Sequence, residues 1–280
     1  MVSQSHPYEE QGSQRFSTGL DSTDPPIDLS PLLVSAGFTH AFFTRHGGVS
    51  KFPLDSLNVA ARVTGDDPAL VTENLRRCAK TLGVGLEKLY HLSQVHGTNA
   101  VVLAGNEARD EVLLREGDIT ASNVPGVACG VRSADCVCIL LGDRKTGAVT
   151  AVHSGWVGTV ANAVGAGVRV LRSLSPNADI VAAIGPHIEQ CCFEVGDDVA
   201  ERLANASNLG TAIVDRSRTK PHVNLRRIIR AQLVAAGVDE ACIDDIHGCT
   251  VCNKDRYFSY RRDAKQSGRM LAAIVARSVS

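Results

Sequence analysis

Residues 127–156, VACGVRSADCVCILLGDRKTGAVTAVHSGW, alternate apolar runs with short polar segments. Apolar runs of this length, bounded by Gly, Asp or Ser, are typical of buried strands, and here they cover 127–131, 137–141 and 148–152. Two motifs follow such runs, Arg132-Ser133-Ala134-Asp135-Cys136 and His153-Ser154-Gly155-Trp156. The sequence therefore predicts that both motifs lie where a strand opens into a turn.

The rest of the chain shows the same alternation of elements. Further buried strands are predicted at 41–43, 100–103, 180–184 and 246–247. Apolar residues at helical spacing predict helices that follow Asp67-Pro68, span 160–174, and follow Asn224, whereas 269–275 fits either a strand or a helix. Strands interleaved with helices indicate an α/β or mixed α+β fold, with a mixed sheet and flanking helices in one layered domain.

Composition limits the classes of function. The chain has 280 residues, of which 44% are hydrophobic, and 29 basic residues nearly balance 30 acidic ones. This balance gives no electrostatic reason to bind nucleic acid or an anionic membrane. The apolar runs are too short to span a bilayer, and no secretory segment opens the chain, so we expect a soluble cytoplasmic protein.

The first residues differ from the rest in composition. Residues 1–28 are polar and show no sustained period, which predicts a disordered or extended tail before one domain at 29–280. The nine cysteines include one CxxC pair, Cys249 and Cys252, and one vicinal pair, Cys191 and Cys192. A lone CxxC is a weak metal signal, so both pairs are interpreted as small structural residues.

One cysteine and two histidines follow strand-like segments and can converge. They are His96 in Gln94-Val95-His96-Gly97, Cys136 and His153. Such a set suits a tetrahedral zinc ion with one open position, as in catalytic zinc sites. It also suits a metal-free hydrolase in which Cys136 is the nucleophile and His153 the base. The residues alone leave both interpretations open.

Two further segments could bind an anion. In Arg45-His46-Gly47-Gly48-Val49-Ser50, two glycines free backbone N–H groups beside a cation, which could hold phosphate, although an ordinary turn has the same composition. Ser259-Tyr260-Arg261-Arg262-Asp263 could be an anion clamp or an ion cluster.

Taken together and in order, these segments resemble the laccase-domain family, also called multicopper polyphenol oxidase-like proteins or peptidoglycan editing factors. The resemblance runs from about Thr44 to Val275. Besides the motifs above, it rests on Leu57-Asn58, Ile184-Gly185-Pro186-His187-Ile188, Cys192-Phe193-Glu194-Val195-Gly196 and Cys249-Thr250.

The resemblance implies a laccase-domain fold and one zinc ion held by His96, Cys136 and His153, with copper less favoured. It implies phosphorolysis of adenosine, inosine, guanosine and methylthioadenosine, and deamination of adenosine, with a purine nucleoside and phosphate as small-molecule partners. Asp118 falls where the family carries an Asp, and it could orient a ligand His, contact the ribose or only cap a loop. Substrate-binding and phosphate-binding roles are then implied for Arg45, Gly47, Gly48, Ser50, Asn58, Gln94, Asp118 and Arg261.

This chain departs from the family pattern at three places. Val157 replaces an Arg, Cys138 a Pro and Asn224 an Asp. The loss of the cation at 157 predicts a weaker phosphate subsite and leaves the ligand set intact. Two other functions remain as alternatives, a copper polyphenol oxidase and a quality-control protein that binds peptidoglycan precursors without turnover. The sequence does not indicate an oligomeric state.

Overall fold

The computed structural model describes residues 24–279 of the chain. In chain order the strands of this range are β1 (Ile27–Asp28), β2 (His40–Phe43), β3 (Leu89–Tyr90), β4 (Ala100–Val102), β5 (Ile119–Ser122), β6 (Ala128–Ser133), β7 (Val137–Asp143), β8 (Val149–Ser154), β9 (Ile180–Ile184), β10 (Val214–Asp215), β11 (His222–Val223), β12 (Ile243–Asp245) and β13 (Met270–Val275). Its α-helices are α1 (Pro31–Ser35), α2 (Ala61–Thr64), α3 (Pro68–Thr81), α4 (Arg109–Val112), α5 (Trp156–Val160), α6 (Ala163–Leu174), α7 (Asp197–Ala204), α8 (Leu225–Ala235) and α9 (Tyr260–Asp263). The predicted mixed α+β class is confirmed.

Two sheets form the centre of the molecule. One has the strand order β1-β2-β13-β6-β3, and the other has the order β12-β9-β7-β8-β5-β4. Both contain parallel and antiparallel pairs. The short connection between β6 and β7 passes from the first sheet to the second. The motif that ends in Cys136 therefore sits at the junction of the two sheets.

Alternating side chains on the strands build the core in layers. On β7, Cys138 and Leu140 pack between the sheets, whereas Ile139 and Leu141 face the side covered by helices α6, α7 and α8. On β13, Ala272 and Ile274 pack between the sheets, and the residues that alternate with them pack against the α3 side. A period of two with both faces apolar is the pattern of strands buried on both sides.

The helix ends follow from the local sequence. Asp67 caps α3 by accepting from the Ala69 N–H at 2.8 Å, and Asn224 caps α8 by accepting from the Arg227 N–H at 3.0 Å. The predicted helix over 160–174 is interrupted, because Asn162 adopts a left-handed conformation with φ 57° and caps a new helix that begins at Ala163. The predicted start at 160 is therefore wrong by three residues.

Two other expectations change. The ambiguous segment 269–275 is strand β13, because its neighbouring side chains pack on opposite faces of one sheet. The strand predicted at 246–247 ends earlier, at Asp245. Most of the predicted tail, residues 1–23, lies outside the described residues. The last two residues of the predicted tail, Ile27 and Asp28, are extended and pair with Phe43 and Phe42 on β2.

Candidate active site

The turn that carries Cys136 is held in place from several sides. Asp135 has φ 90°, a strained conformation for a residue with a side chain. Its carboxylate accepts from the Thr250 hydroxyl at 2.6 Å and from the Arg261 backbone N–H at 2.6 Å. The Ser133 hydroxyl donates to the Cys136 carbonyl at 2.5 Å. These contacts stabilise the strained turn and fix the direction of the Cys136 side chain.

His153 lies near the carboxyl end of β8 and is buried. Its Nδ1 lies 2.8 Å from Oδ1 of Asp118, which is also buried. Because the carboxylate can only accept, Nδ1 carries the proton in this pair and Nε2 is left as a free electron-pair donor. Carboxylates that orient metal-binding histidines make this contact.

The third residue, His96, sits on a loop that the same carboxylate organises. Asp118 accepts from the backbone N–H groups of Val95 at 3.2 Å, His96 at 3.0 Å and Gly97 at 2.7 Å. The side-chain amide of Gln94 pairs in both directions with the Arg132 backbone, at 2.7 and 2.8 Å. The loop is thereby attached to the end of β6, close to the Cys136 turn.

The three side chains converge. One ligand atom from each of His96, Cys136 and His153 can be chosen such that all lie within 4.8 Å of one another, and the two imidazole rings are 5.0 Å apart. Gly155 makes room for this arrangement. A Cβ on Gly155 would lie 2.9 Å from both the Cys136 sulfur and Cδ2 of His96. The Gly in the His-Ser-Gly-Trp motif is therefore required by close approach.

Burial dominates the electrostatics of the site. It raises the pKa of the Cys136 thiol to about 12, with the Asp135 carboxylate adding to the rise and Arg269 opposing it. Burial also lowers the pKa of His153, against the opposing effect of the hydrogen bond that its Nδ1 donates to Asp118. Burial raises the pKa of Asp118, but hydrogen bonds from His153 and from backbone N–H groups outweigh it and leave that pKa lowered. A neutral, electron-pair-donating imidazole beside a thiol suits metal binding, which itself removes the thiol proton.

A cavity of about 830 Å³ opens onto the three residues. Aromatic side chains and cations line it, namely Trp156, Phe193, Tyr260, Arg132, Arg261, Lys265 and Arg269. The volume lies in the range of small-molecule sites. Stacking surfaces and convergent cations together suit a ligand with a flat ring and an anionic group.

Two of these cations lie partly out of water. Burial lowers the pKa of Arg132 to about 10, with the charges of Arg269 and Arg109 lowering it further, and its Nε has no hydrogen-bond partner among the described residues. Burial also lowers the pKa of Arg269, whose guanidinium stacks over the Tyr260 ring at 5.4 Å. Cations placed together in this way would be stabilised by an anion between them.

The Gly-rich turn that the sequence offers as a phosphate site lies elsewhere. Arg45 donates to the carbonyls of Asp55 and Lys254 at 2.9 and 3.1 Å and stacks over the Phe258 ring at 4.5 Å. Gly48 N donates to the Ser56 hydroxyl at 3.0 Å, and a Cβ on Gly47 would lie 2.6 Å from Pro25 Cα. Arg45 and the Gly48 N–H are thus hydrogen-bonded within the protein, and the turn does not line the cavity, so its geometry gives no support to an anion site.

Ser50 and Asn58, two other predicted substrate-binding residues, share one hydrogen-bond acceptor. The Ser50 hydroxyl and the Asn58 amide both donate to Asp66, at 2.6 and 2.8 Å. Neither lines the cavity, whereas Gln94 and Arg261 do. Val157, the departure from the family pattern, is exposed and also lies outside the cavity lining.

Sequence reasoning missed several cavity residues. Arg132 and Phe193 lie within sequence motifs but have no role assigned by them, and Arg269 and Lys265 lie in none of the motifs. Tyr260 and Trp156 were visible only as motif members. An arginine at the end of an apolar strand next to the Asp-Cys turn was the available signal for Arg132, since few cations are buried without a ligand or partner.

Comparisons with known proteins identify the family of the chain. The family described as multi-copper polyphenol oxidoreductase laccase matches residues 39–277. A purine nucleoside phosphorylase from Deinococcus radiodurans is 38% identical over 84% of this chain and 88% of that protein. An adenosine deaminase from an unknown prokaryotic organism is 37% identical over 84% of this chain and 92% of that protein. The crystal structure of YlmD from Geobacillus stearothermophilus superposes with a TM-score of 0.81 at 33% identity, over 89% of this chain and 94% of that one.

Proposed function

Because the chain belongs to the multi-copper polyphenol oxidoreductase laccase family, we propose that it is a zinc-dependent enzyme that cleaves purine nucleosides with phosphate and deaminates adenosine. The observation that carries the proposal is the joint presence, in one cavity, of the His96–Cys136–His153 cluster, aromatic rings and buried cations. Relatives named purine nucleoside phosphorylase and adenosine deaminase support the same two reactions.

The donor set fits zinc. Two imidazoles and one thiolate are ligands that zinc accepts, and three protein ligands leave a position for substrate or water. Asp118 fixes the His153 tautomer, so that Nε2 is free to bind. When bound, zinc supplies Lewis-acid polarisation of a group in the open position.

The residues around the metal site would bind the phosphate and the purine. In phosphorolysis, a phosphate oxygen forms a bond to the ribose C1′, the C1′–N9 bond breaks, and ribose 1-phosphate and the free purine leave. Arg132 and Arg269 would hold the phosphate, with Arg261 and Lys265 at the same cavity. Trp156, Phe193 or Tyr260 would stack on the purine. In deamination, water replaces the amino group at C6 and ammonia leaves, so the phosphate subsite is not needed.

A metal-free Cys–His hydrolase is disfavoured on electrostatic grounds. Burial and the Asp135 charge raise the pKa of Cys136 to about 12, so the thiolate does not form near neutral pH without a bound cation. A multicopper oxidase needs several metal ions with many His ligands. Among residues 24–279, His96, Cys136 and His153 form the only group of three or more candidate ligands that contains histidine.

The test is a turnover assay combined with metal analysis of the same sample. Purified protein is incubated with inosine or adenosine, with and without inorganic phosphate, and free purine, inosine and ammonia are quantified. We expect phosphate-dependent release of the purine from both nucleosides, phosphate-independent ammonia from adenosine, and loss of both in Cys136→Ser but not in Cys242→Ser. Absence of all turnover in zinc-loaded protein would overturn the proposal, and tight binding of a cell-wall nucleotide precursor would then favour the non-enzymatic alternative.

A further inference from the structure

Four cysteines form a second cluster, separate from His96, Cys136 and His153. Cys191, Cys192, Cys249 and Cys252, called the four-cysteine cluster below, have all their sulfur atoms within 4.8 Å of one another. The Cys192–Cys252 sulfur distance is 3.3 Å, and Cys191 lies 3.7 Å from both. All four are free thiols.

The fold brings together two loops that are distant in sequence. Cys191 and Cys192 follow strand β9, and Cys249 and Cys252 follow strand β12, its parallel neighbour. Beyond the ends of the strands, backbone hydrogen bonds continue to join the two loops. His187 N donates to the Gly248 carbonyl at 3.1 Å, and Thr250 N donates to the His187 carbonyl at 3.0 Å. The four sulfurs thus sit on two segments fixed to each other by backbone hydrogen bonds.

We propose that the four-cysteine cluster binds a second zinc ion, which has a structural role. Four sulfurs at about 2.3 Å from one ion stand about 3.8 Å apart in a regular tetrahedron, and a closed set of four thiolates is typical of structural zinc sites. The observed separations of 3.3 and 3.7 Å, within an overall limit of 4.8 Å, leave only small shifts for the ion to enter.

The surroundings of the cluster suit a negatively charged zinc–thiolate centre. Backbone N–H groups of Glu189, Val251 and Cys252 point at the Cys249 sulfur. Hydrogen bonds from amides to thiolates are the outer contacts that orient metal ligands. Loading four thiols with one zinc ion releases four protons and leaves a net charge of −2 on the centre.

Three arginines lie where they would offset that charge. Arg218 donates to the Cys191 carbonyl at 2.8 Å, and Arg261 donates to the Cys192 carbonyl at 3.2 Å. Arg262 donates to the carbonyl of Thr250 at 2.8 Å, between the two cysteines of the CxxC pair. The guanidinium groups are thus attached to the very loops that carry the sulfurs.

The second ion would stiffen one wall of the cavity. Thr250, inside the CxxC pair, donates to the Asp135 carboxylate that fixes the Cys136 turn. Phe193, which follows Cys192, lines the cavity, and Arg261 stacks over its ring at 5.7 Å. An ion in the four-cysteine cluster therefore joins the loop whose Thr250 contacts Asp135 to the loop that contains Phe193. The ion itself does not touch the substrate.

Metal counting in four purified proteins tests the proposal. We expect two zinc ions per chain in the wild type and in Cys242→Ser, which removes a thiol outside both clusters, and one in Cys252→Ser and in Cys136→Ser. The proposal does not rest on the zinc site at Cys136. If only that site failed, the wild type and Cys136→Ser would each hold one zinc ion and Cys252→Ser none. Equal zinc content in the wild type and Cys252→Ser would overturn the proposal.

A measurement on the unaltered protein covers the case in which Cys252→Ser does not fold. Cys191 and Cys252 are exposed, so they should react rapidly with iodoacetamide unless a metal protects them. Mass spectrometry should find both protected before treatment with a zinc chelator and alkylated after it, with a lower unfolding temperature in the chelated sample. Rapid alkylation before chelation, a disulfide between cluster cysteines, or iron in place of zinc would each overturn the proposal.

Discussion

The carboxylate of Asp118 should be the main support of the His96–Cys136–His153 site, and replacing it by an amide tests this. In the wild type, Oδ1 accepts from His153 Nδ1 and His96 N, and Oδ2 accepts from Val95 N and Gly97 N. In Asp118→Asn only one oxygen remains. Whichever way the amide turns, two of the four N–H donors then face an NH₂ group and lose their acceptor.

The magnitude follows from these contacts. A hydrogen bond to a charged group contributes about 1.5–3 kcal/mol, so two lost bonds set an upper range of about 3–6 kcal/mol before the loop relaxes. We expect the free energy of unfolding of metal-free protein to fall by about 3 kcal/mol. Because the single amide oxygen can face His153 only when Val95 N and Gly97 N lose their acceptor, the His153 tautomer is held less firmly, and zinc affinity should fall about 10- to 100-fold, which is the usual cost of losing such a support.

A matched control separates stability from metal binding. Asp143 is also buried and accepts from the Thr146 hydroxyl and the Asp179 N–H, but it lies at the far end of β7. Urea unfolding of metal-free protein and zinc competition against a chromophoric chelator are measured for Asp118→Asn and Asp143→Asn. Both variants should lose stability, and only Asp118→Asn should lose zinc affinity. Equal zinc affinity in Asp118→Asn and the wild type would refute the role assigned to the carboxylate.

Three further predictions concern catalysis, phosphate and pH. Cys136→Ala should lose the zinc ion of the His96–Cys136–His153 site and turnover while its circular dichroism spectrum stays that of the wild type, whereas a loss of folding would mark the site as structural. Arg269→Ala should reduce phosphorolysis about 10- to 150-fold by removing one charge-assisted contact, with little effect on deamination, and the exposed Arg76→Ala should change neither; equal losses in both assays would remove Arg269 from the phosphate site. Burial lowers the pKa of His40 to about 4, while its Nε2 accepts from Ser30 N at 2.8 Å. Because the unfolded state binds more protons between pH 4 and 6.5, stability should fall as the pH drops through this window, by at most about 3 kcal/mol from His40, and urea unfolding of His40→Gln should show a shallower slope.

The strands and helices that could be predicted are those whose pattern is local. Strand β7 lies in the interior of its sheet and is apolar on both faces, so its run of apolar residues reads directly as a buried strand. The break at Asn162 escaped prediction, because the apolar stripe continues across it, and only the left-handed backbone reveals the new helix start. Propensity and periodicity carry little information about a single residue of this kind.

The candidate site divides in the same way. His96, Cys136 and His153 were each signalled by a polar residue at the end of an apolar run, and the structure brings them together. The Arg45 turn is one candidate anion site in the sequence because glycines beside a cation look like free N–H donors, yet whether those donors are free depends on distant partners such as Ser56. Arg269, by contrast, lines the cavity from the position just before β13. It is far from Cys136 in sequence, so local patterns do not indicate that the two residues lie at the same cavity.

The four-cysteine cluster shows what one additional topological inference would have supplied. Cys191-Cys192 and Cys249-Thr250-Val251-Cys252 are two half-sites, each too weak to indicate a metal, and nearly sixty residues of other elements separate them. Strands β9 and β12 are parallel neighbours, with Ile184 opposite Asp245, so the loops that leave their carboxyl ends must emerge at the same edge of the sheet. Given that pairing alone, the two half-sites are forced into proximity, and four thiols at one edge predict a metal site. The missing information was therefore the pairing of strand β9 with strand β12, and the pairing of strands far apart in sequence is the part of the fold that local patterns do not determine.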